Sequence, residues 1–434
     1  MINKCIIASV GILLITSITV SADTLNLDGY VKLALDHNPQ PKIAAGAVEA
    51  SSAAREKSRS SLLPHIDGNA SLSRNGSGGS SSGVLNSRYS GSTVNTSSAG
   101  VNGQLLLFDF GKTLYQYKSS DKTLDAAKYD LQSTLQTTVL NARTAYFNYL
   151  LSEQLLTVNE DALKQAQAHY DQAKILFEVG KQAQIAVTKA LVDVANAQVN
   201  MIHARNALKL ARVQLETAAG MQFADPLALT DSLGRIEDSI TMNDALTQAL
   251  QKRPELLASQ ARLEAARLQY KSARAAYLPS INASAGYDWQ NASTSNLPAP
   301  DWNSPGWNIG AALSLPLYEG GAVHAGVRQA DAALKQAMAS LEATVLNITQ
   351  EVRQDVLQEI EARDRISAAA ILVEESAESL RLSQERYRNG LATSLEITDA
   401  EVTLANARIS HVQAQFDYRV AHANLLLSIG ALHE

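Results

Sequence analysis

The sequence predicts an α+β fold in which membrane β-barrel strands are joined to a long antiparallel coiled coil, with the whole unit present twice. Three observations predict it. Landmarks recur in the same order at a spacing of roughly 210 residues. After a proline in each half, apolar residues alternate with small polar ones. Long stretches also carry a 3-and-4 hydrophobic spacing, and the first has no proline or glycine to stop it.

The chain opens with an export signal over residues 1–22. Lys4 supplies the positive start, Ile6 to Val20 is mostly apolar, and Val20-Ser21-Ala22 offers small residues before a cut ahead of Asp23. That run is short for a spanning helix, which needs roughly 20 apolar residues. The only cysteine, Cys5, lies early in the signal segment, so the mature chain is expected to hold no disulfide and no thiolate metal site. Beyond residue 22 no continuous apolar run is long enough to span a bilayer as a helix. The composition is rich in Ala, Leu, Gln and Ser and has 5% aromatics, the make-up of long helices. A formal net charge of −6 argues against a nucleic-acid partner.

The duplication divides the rest. Residues 23–220 form a first structural repeat, 221–240 a linker holding Pro226 and Gly234, and 241–434 a second repeat. Asn38-Pro39 is answered by Arg253-Pro254, and Leu62-Leu63-Pro64 by Tyr277-Leu278-Pro279. Leu107-Phe108-Asp109-Phe110-Gly111 is answered by Leu317-Tyr318-Glu319-Gly320-Gly321, and Ala219-Gly220 by Ile429-Gly430.

In the first long helix Leu124, Leu131, Leu135, Ala142, Ala145, Tyr149, Leu156, Leu163, Ala166, Tyr170, Ala173 and Phe177 form a seam. Ile397, Ala400, Leu404, Ala407, His411, Ala414, Tyr418, Ala421 and Leu425 repeat it in the last helix, with His411 packing or hydrogen-bonding there. Small seam residues let helices approach closely. With nothing to break it between Lys112 and Val179, the first helix reaches on the order of 100 Å. Gly180 and Gly390 then end the long helices, so each half holds a helical hairpin with a glycine-bearing tip.

Proline at 64 and 279 stops the preceding helices. Ile66, Gly68, Ala70 and Leu72 then alternate with Asp67, Asn69, Ser71 and Ser73, and residues 281–289 and 308–317 alternate likewise. The strand from about Gly100 to Phe108 alternates less cleanly. Residues 74–98 and 290–305 read as surface loops between paired strands. One apolar and one small-polar face is the pattern of a strand with lipid outside and water inside. Trp289, Trp302 and Trp307 at one end, and Phe108 and Tyr318 at the other, are expected at the membrane interfaces.

About four strands cannot close a barrel, since closed transmembrane barrels take eight or more. An open edge in lipid costs several kcal/mol per unpaired backbone group, which forces oligomerisation. Two copies give eight strands and a nearly filled interior; three give twelve and a wet bore. The inward set of Asn69, Ser71, Asn282, Ser284, Gly286, Gly310, Ala312 and Ser314 fits the open bore, which favours trimerisation.

The duplicated unit, the tips Phe177-Glu178-Val179-Gly180 and Tyr387-Arg388-Asn389-Gly390-Leu391, and the ending Leu427-Ser428-Ile429-Gly430-Ala431-Leu432 resemble the TolC family of outer-membrane efflux and secretion proteins. The resemblance covers nearly all of the mature chain. It implies a homotrimer whose barrel continues into a coiled-coil α-barrel across the periplasm. It also implies docking, through Val179, Gly180, Asn389, Gly390 and Leu391, onto a periplasmic adaptor and an ATP-driven or proton-driven inner-membrane pump. Glu396 and Asp399 match inward carboxylates of the family's closed end, and their three-residue spacing puts them on one helix face. The matching first-half positions, Ala186 and Lys189, and Lys181 after the first tip glycine depart from that pattern. A passive duct needs no cofactor, metal or catalytic group, and no HExxH pair, phosphate-binding loop or nucleophile elbow occurs. The alternative function is a structural or adhesive outer-membrane stalk.

Overall fold

The structure is a computed structural model that describes residues 25–76, 93–224, 227–234, 236, 240–294, 302–389 and 391–432. The signal segment with Cys5, the prolines Pro226, Pro298 and Pro300, and the tip residue Gly390 lie outside the described residues.

The elements come in two matching series. The first is α1 (Leu27–His37), α2 (Pro39–Ser60), β1 (His65–Gly76), β2 (Thr93–Phe108), α3 (Lys112–Glu178) and α4 (Gln184–Ala219). The second is α5 (Met242–Lys252), α6 (Pro254–Ala275), β3 (Ser280–Thr294), β4 (Trp302–Ser314), α7 (Ala322–Arg388) and α8 (Ser394–Ser428). The lengths match: 11 residues in α1 and α5, 22 in α2 and α6, 67 in α3 and α7.

The same local chemistry sets the same boundaries. Asn26 caps α1 by accepting from the Gly29 N–H, and Thr241 caps α5 by accepting from the Asp244 N–H. Asn38 and Arg253, each before a proline, are extended with ψ of 135° and 122°, which ends α1 and α5. Pro39 and Pro254 then open the next helices, where a missing N–H costs nothing. At the strand-to-helix corner Phe110 and Gly111 take φ of 55° and 88°, matched by Gly320 at 60° and Gly321 at 88°. Phe110 carries a left-handed penalty of about 1–2 kcal/mol that its glycine counterpart avoids. Its ring packs on Phe108 at 4.7 Å, and the Asp109 carboxylate accepts from the Gly111 and Thr113 N–H groups to start α3.

The chain forms two compact units that cut across the sequence repeats. One comprises Met1–Ala45, Asp130–Pro254 and Val345–Glu434; the other comprises Gly46–Tyr129 and Glu255–Thr344. In the first, the core gathers Tyr30, Val31 and Ala34 of α1, Val139, Tyr146 and Leu150 of α3, and Leu215 of α4. The segment 221–240 read as a linker joins this core. Phe223 and Leu233 are buried in it, and Leu25 bridges to Leu229 in parallel. Asp231 Oδ2 accepts from the Leu27 N–H at 2.7 Å and from the Tyr146 hydroxyl at 2.8 Å. The α8 seam is buried as spaced: Ile397, Ala400, Leu404, Ala407, Ala414, Tyr418, Ala421 and Leu425 all lie inside, and His411 meets Gln415 at 3.1 Å. On α3 the seam shifts by one residue near the tip. His169 is buried between Ala166 and Ala173 where Tyr170 was expected, and Phe177 is exposed.

In the second unit the strands form one antiparallel sheet ordered β1-β2-β3-β4. The strands are longer than the alternation indicated. Residues 74–76 and 93–98, and 290–294 with 302–305, belong to the ladder rather than to loops. Ser, Asn and Thr satisfy a wet strand face as well as apolar residues satisfy a dry one, so composition hid the extension. Pro305, which has no N–H to donate, takes the ladder position opposite Trp289. The blurred alternation of β2 has a cause as well. The register slips between Leu106 and Phe108, so the run Leu105-Leu106-Leu107-Phe108 contains a bulge that resets the faces. Below the sheet, Ser119 and Ser272 donate to the carbonyls of Ala265 and Lys112 at 2.9 and 2.8 Å, contacts that only small residues permit.

Gly220 and Gly430 close α4 and α8 with φ of 72° and 70°, and each receives the helix corner of its own half. A Cβ at Gly220 would lie 3.0 Å from the His37 carbonyl carbon and Asn38 Cα; one at Gly430 would lie 3.1 Å from the Lys252 carbonyl. At Gly180, φ is 71° but nothing lies within 4 Å. Gly180→Ala should therefore incur only the backbone penalty of about 1–2 kcal/mol. Gly220→Ala and Gly430→Ala should lose more, because backbone must move. Thermal midpoints of the three detergent-solubilised variants check this; equal losses would refute the packing role.

Candidate functional site: the sheet faces and the hairpin tips

The ladder sorts the side chains of the sheet onto two unlike faces. One carries Ile66, Leu72, Val101, Tyr287, Trp307, Ile309 and Leu313, large and exposed. The other carries the rows His65-Gln104-Ser284-Gly310 and Asp67-Asn102-Gly286-Asn308, read across the register. The set expected to face inward from sequence all falls on this second face. Its polar groups bond one another across strands. Ser71 and Ser98 hydroxyls lie 2.8 Å apart, and Asn102 Nδ2 donates to Asn69 Oδ1 at 2.9 Å. Glycine leaves room for them, since a Cβ at Gly100 would collide with the Asp288 carboxylate and one at Gly286 with the Asn308 and Asn102 amides.

Trp289, opposite Pro305, and Trp307, opposite Tyr287, belong to the apolar face, whereas Trp302, expected with them, takes the ladder position opposite Ala292, whose register belongs to the other face. Phe108 ends β2, and Tyr318, 88% exposed, follows β4. From Ile281 to Trp289 the strand advances about 26 Å, or about 20 Å along the normal at a typical barrel tilt. That is most of the apolar band of a membrane barrel, which is about 25 Å tall. Both outer strands, β1 and β4, have one edge without a ladder partner among the described residues.

At the far end of α3 the chain reverses through a Schellman motif. The Lys181 N–H reaches the Leu176 carbonyl at 2.8 Å and the Gly180 N–H the Phe177 carbonyl at 2.9 Å. Val179 is left exposed. At the second tip the Leu391 N–H bonds the Arg386 carbonyl at 2.8 Å, Asn389 Nδ2 bonds the Glu385 carbonyl at 2.9 Å, and Leu391 is 71% exposed. Thr393 caps α8 by accepting from the Glu396 N–H, and the Glu396 carboxylate sits 3.5 Å from Arg386. Asp399, one turn on, is exposed.

The two hairpins are tied by residues that sequence reading did not single out as functional. Gln182 donates to the Tyr387 hydroxyl at 2.6 Å, and His169 contacts the Ser394 hydroxyl at 3.3 Å with its ring 5.8 Å from that of Tyr387. Burial lowers the His169 pKa, with Asp193 acting weakly against it. Deeper along the helices a cavity of about 180 Å³ opens between α3, α4 and α8. Asp193 of α4 and Glu401 of α8 line it, and the Thr398 hydroxyl donates to Asp193 Oδ2 at 3.0 Å. Burial first, and Asp193 second, push the Glu401 carboxyl up to about 7. Glu401 flanks the α8 seam beside Ala400, but helix pairing had to be known to see which acids meet.

Comparison with known proteins agrees with this geometry. A family model described as outer membrane efflux protein matches residues 30–221 and again 245–431, once for each half. Outer membrane protein TolC of Escherichia coli K12 is 26% identical over 405 residues, covering 92% of this chain and 80% of that protein. Cation efflux system protein CusC of Escherichia coli O157:H7 is 24% identical over 429 residues, covering 94% and 87%. The crystal structure of the Campylobacter jejuni CmeC outer membrane channel shares the fold, with a TM-score of 0.82 at 21% identity over 100% of this chain and 94% of that one.

The two sheet faces should respond differently to charge. Ile309→Lys, on the apolar face, should lose about 2–4 kcal/mol of stability in lipid, while its neighbour Asn308→Lys should lose little. Urea titration of both variants in liposomes reads the difference, and equal losses would mean the faces are wrongly assigned.

Proposed function

The chain belongs to the outer membrane efflux protein family, so it is an outer-membrane channel with its helices in the periplasm, and from that premise we propose that it acts as a homotrimeric, passive duct of a tripartite export assembly. The observation that carries the trimer is the four-stranded sheet with two open edges. In hydrocarbon each unpaired backbone group costs several kcal/mol, so the edges must be joined to other copies. Two copies leave a bore that side chains nearly fill, whereas three leave water. The small polar face supports three.

The helices support the same arrangement. Ile185, Val192, Val199 and Val213 recur at heptad positions on α4 and are more than half exposed in a single protomer. A neighbouring copy supplies the surface they lack. With the helices in the periplasm, the hairpin tips are available there to a partner. There Val179 and Gly180 of the first tip, with Asn389, Gly390 and Leu391 of the second, would meet a periplasmic adaptor. An inner-membrane pump would supply the energy, so the duct itself moves cargo without chemistry. Glu396 and Asp399 would stand as rings of three carboxylates near the closed end, where crowded negative charge favours cations.

The assembled chain, reconstituted in planar bilayers, should run as a trimer and conduct with a small resting current. The double variant Glu396→Gln, Asp399→Asn should raise that current or weaken its block by multivalent cations. A stable monomer that passes no ions would overturn the duct; unchanged currents would remove the gate.

At the tips, Leu391→Asp should abolish export from cells while leaving trimers in the outer membrane. Drug-susceptibility or secretion assays beside trimer immunoblots make the measurement. Normal export from this variant would count against adaptor docking there.

A further inference from the structure

The cavity between α3, α4 and α8 places two carboxyl groups of different helices in a setting with no opposite charge. Asp193 and Glu401 are the only charged side chains among the described residues that line it. The wall from α3 is neutral, with Asn159 and Gln165 its polar members; α4 adds Asn196 and Asn200, and α8 adds Asn406. No residue of α7 lines it. His169 of α3, toward the tip, interacts with Asp193. Amides can hydrogen-bond a carboxyl in either protonation state, but they cannot neutralise it. Two ionised carboxylates facing a half-enclosed space therefore repel with little screening.

A hydrogen bond ties the two helices at this joint, with Asp193 Oδ2 accepting from the Thr398 hydroxyl at 3.0 Å. Glu401 lies three residues beyond Thr398 on the same face of α8. We propose that Asp193 and Glu401 form a proton-binding site that clasps the first hairpin to α8, packed when the proton is bound and loosened when it leaves.

The direction of the pH effect follows from linkage. The packed joint holds the Glu401 carboxyl at about 7, raised from its ordinary 4.5. Between those values the packed state binds more protons than the loosened one, so its stability falls as pH rises and the contribution is gone above 7. From pH 6 to pH 8 the proton-linked preference for the packed joint falls about ten-fold, from the ratio of its binding factors at the two pH values.

Hydrogen exchange on the full chain, assembled in nanodiscs, tests this independently of what the channel carries. After correction for the intrinsic pH dependence of exchange, protection of α8 amides between residues 398 and 409 should fall about ten-fold from pH 6 to pH 8 in the wild type. Amides of α1 should show no such change. Glu401→Gln, neutral and of the same shape, should abolish the pH dependence while keeping the protection seen at pH 6. Asp193→Asn, which removes the repulsion, should reduce the dependence below ten-fold. Flat protection in the wild type, or a ten-fold fall that survives either substitution, would overturn the proposal.

Discussion

Backbone hydrogen bonding in hydrocarbon is the constraint on which the rest of this structure depends. A sheet of four strands leaves a row of N–H and C=O groups along the outer edges of β1 and β4. Water is absent at that depth, so other protein must take its place. The consequences run through the sequence. One face must be large and apolar for lipid. The other must be small and polar so that a closed ring of strands keeps an aqueous bore. Gly100 and Gly286 belong to that second demand, because they let Asp288, Asn102 and Asn308 lie across the sheet.

The duplication carries the same logic into the helices. α4 and α8 differ in length by one residue, at 36 and 35, yet they are buried very differently within a protomer. On α8 the whole seam from Ile397 to Leu425 is covered. On α4 only Ala190, Ala211, Leu215 and Ala219 are, and the valines and isoleucines of its heptad positions face outward. Equal helices with unequal burial are the expected outcome when one helix of each protomer is completed by the next copy. The helical part thus repeats the requirement already imposed by the sheet edges.

Much of this was legible in sequence because the signals are periodic or singular. Prolines 39, 64, 254 and 279 mark helix boundaries, glycines 180, 220 and 430 adopt positive φ at helix ends, and the α8 seam is buried as its spacing indicates. What escaped were features with no period of their own. The strand ends beyond Leu72 and Trp289 hold only polar and small residues, such as Ser73, Asn75, Asn291, Ser293 and Thr294, which look like loop until a ladder partner is known. The bulge at Leu106 resets the β2 alternation, and a run of four apolar residues cannot announce it. Residues 221–240 resembled a tether, yet Phe223, Leu233 and Asp231 hold α1 to α3. Their partners lie far off in sequence, so no local pattern reveals them.

The tips and the joint above them depend on the point where the two halves stop being copies. Gly180 closes the first tip with positive φ, and Ala190 and Ala400 are buried at equivalent positions of α4 and α8. Side-chain chemistry diverges around them. Glu396, Asp399 and Glu401 of α8 correspond to Ala186, Lys189 and the exposed Leu191 of α4. A fully symmetric duplication would give six equivalent hairpins around a trimer and no reason for one set to move against the other. Placing Glu396, Asp399 and Glu401 on α8, with no acid at the matching positions of α4, makes the two hairpins of the chain chemically distinct. Asp193, the one acid of α4 at this level of the cavity, then meets Glu401 only across the boundary between unlike hairpins. Any change in charge at that boundary acts between the two kinds of hairpin and not within either, which is the condition for one kind to shift while the other holds its place.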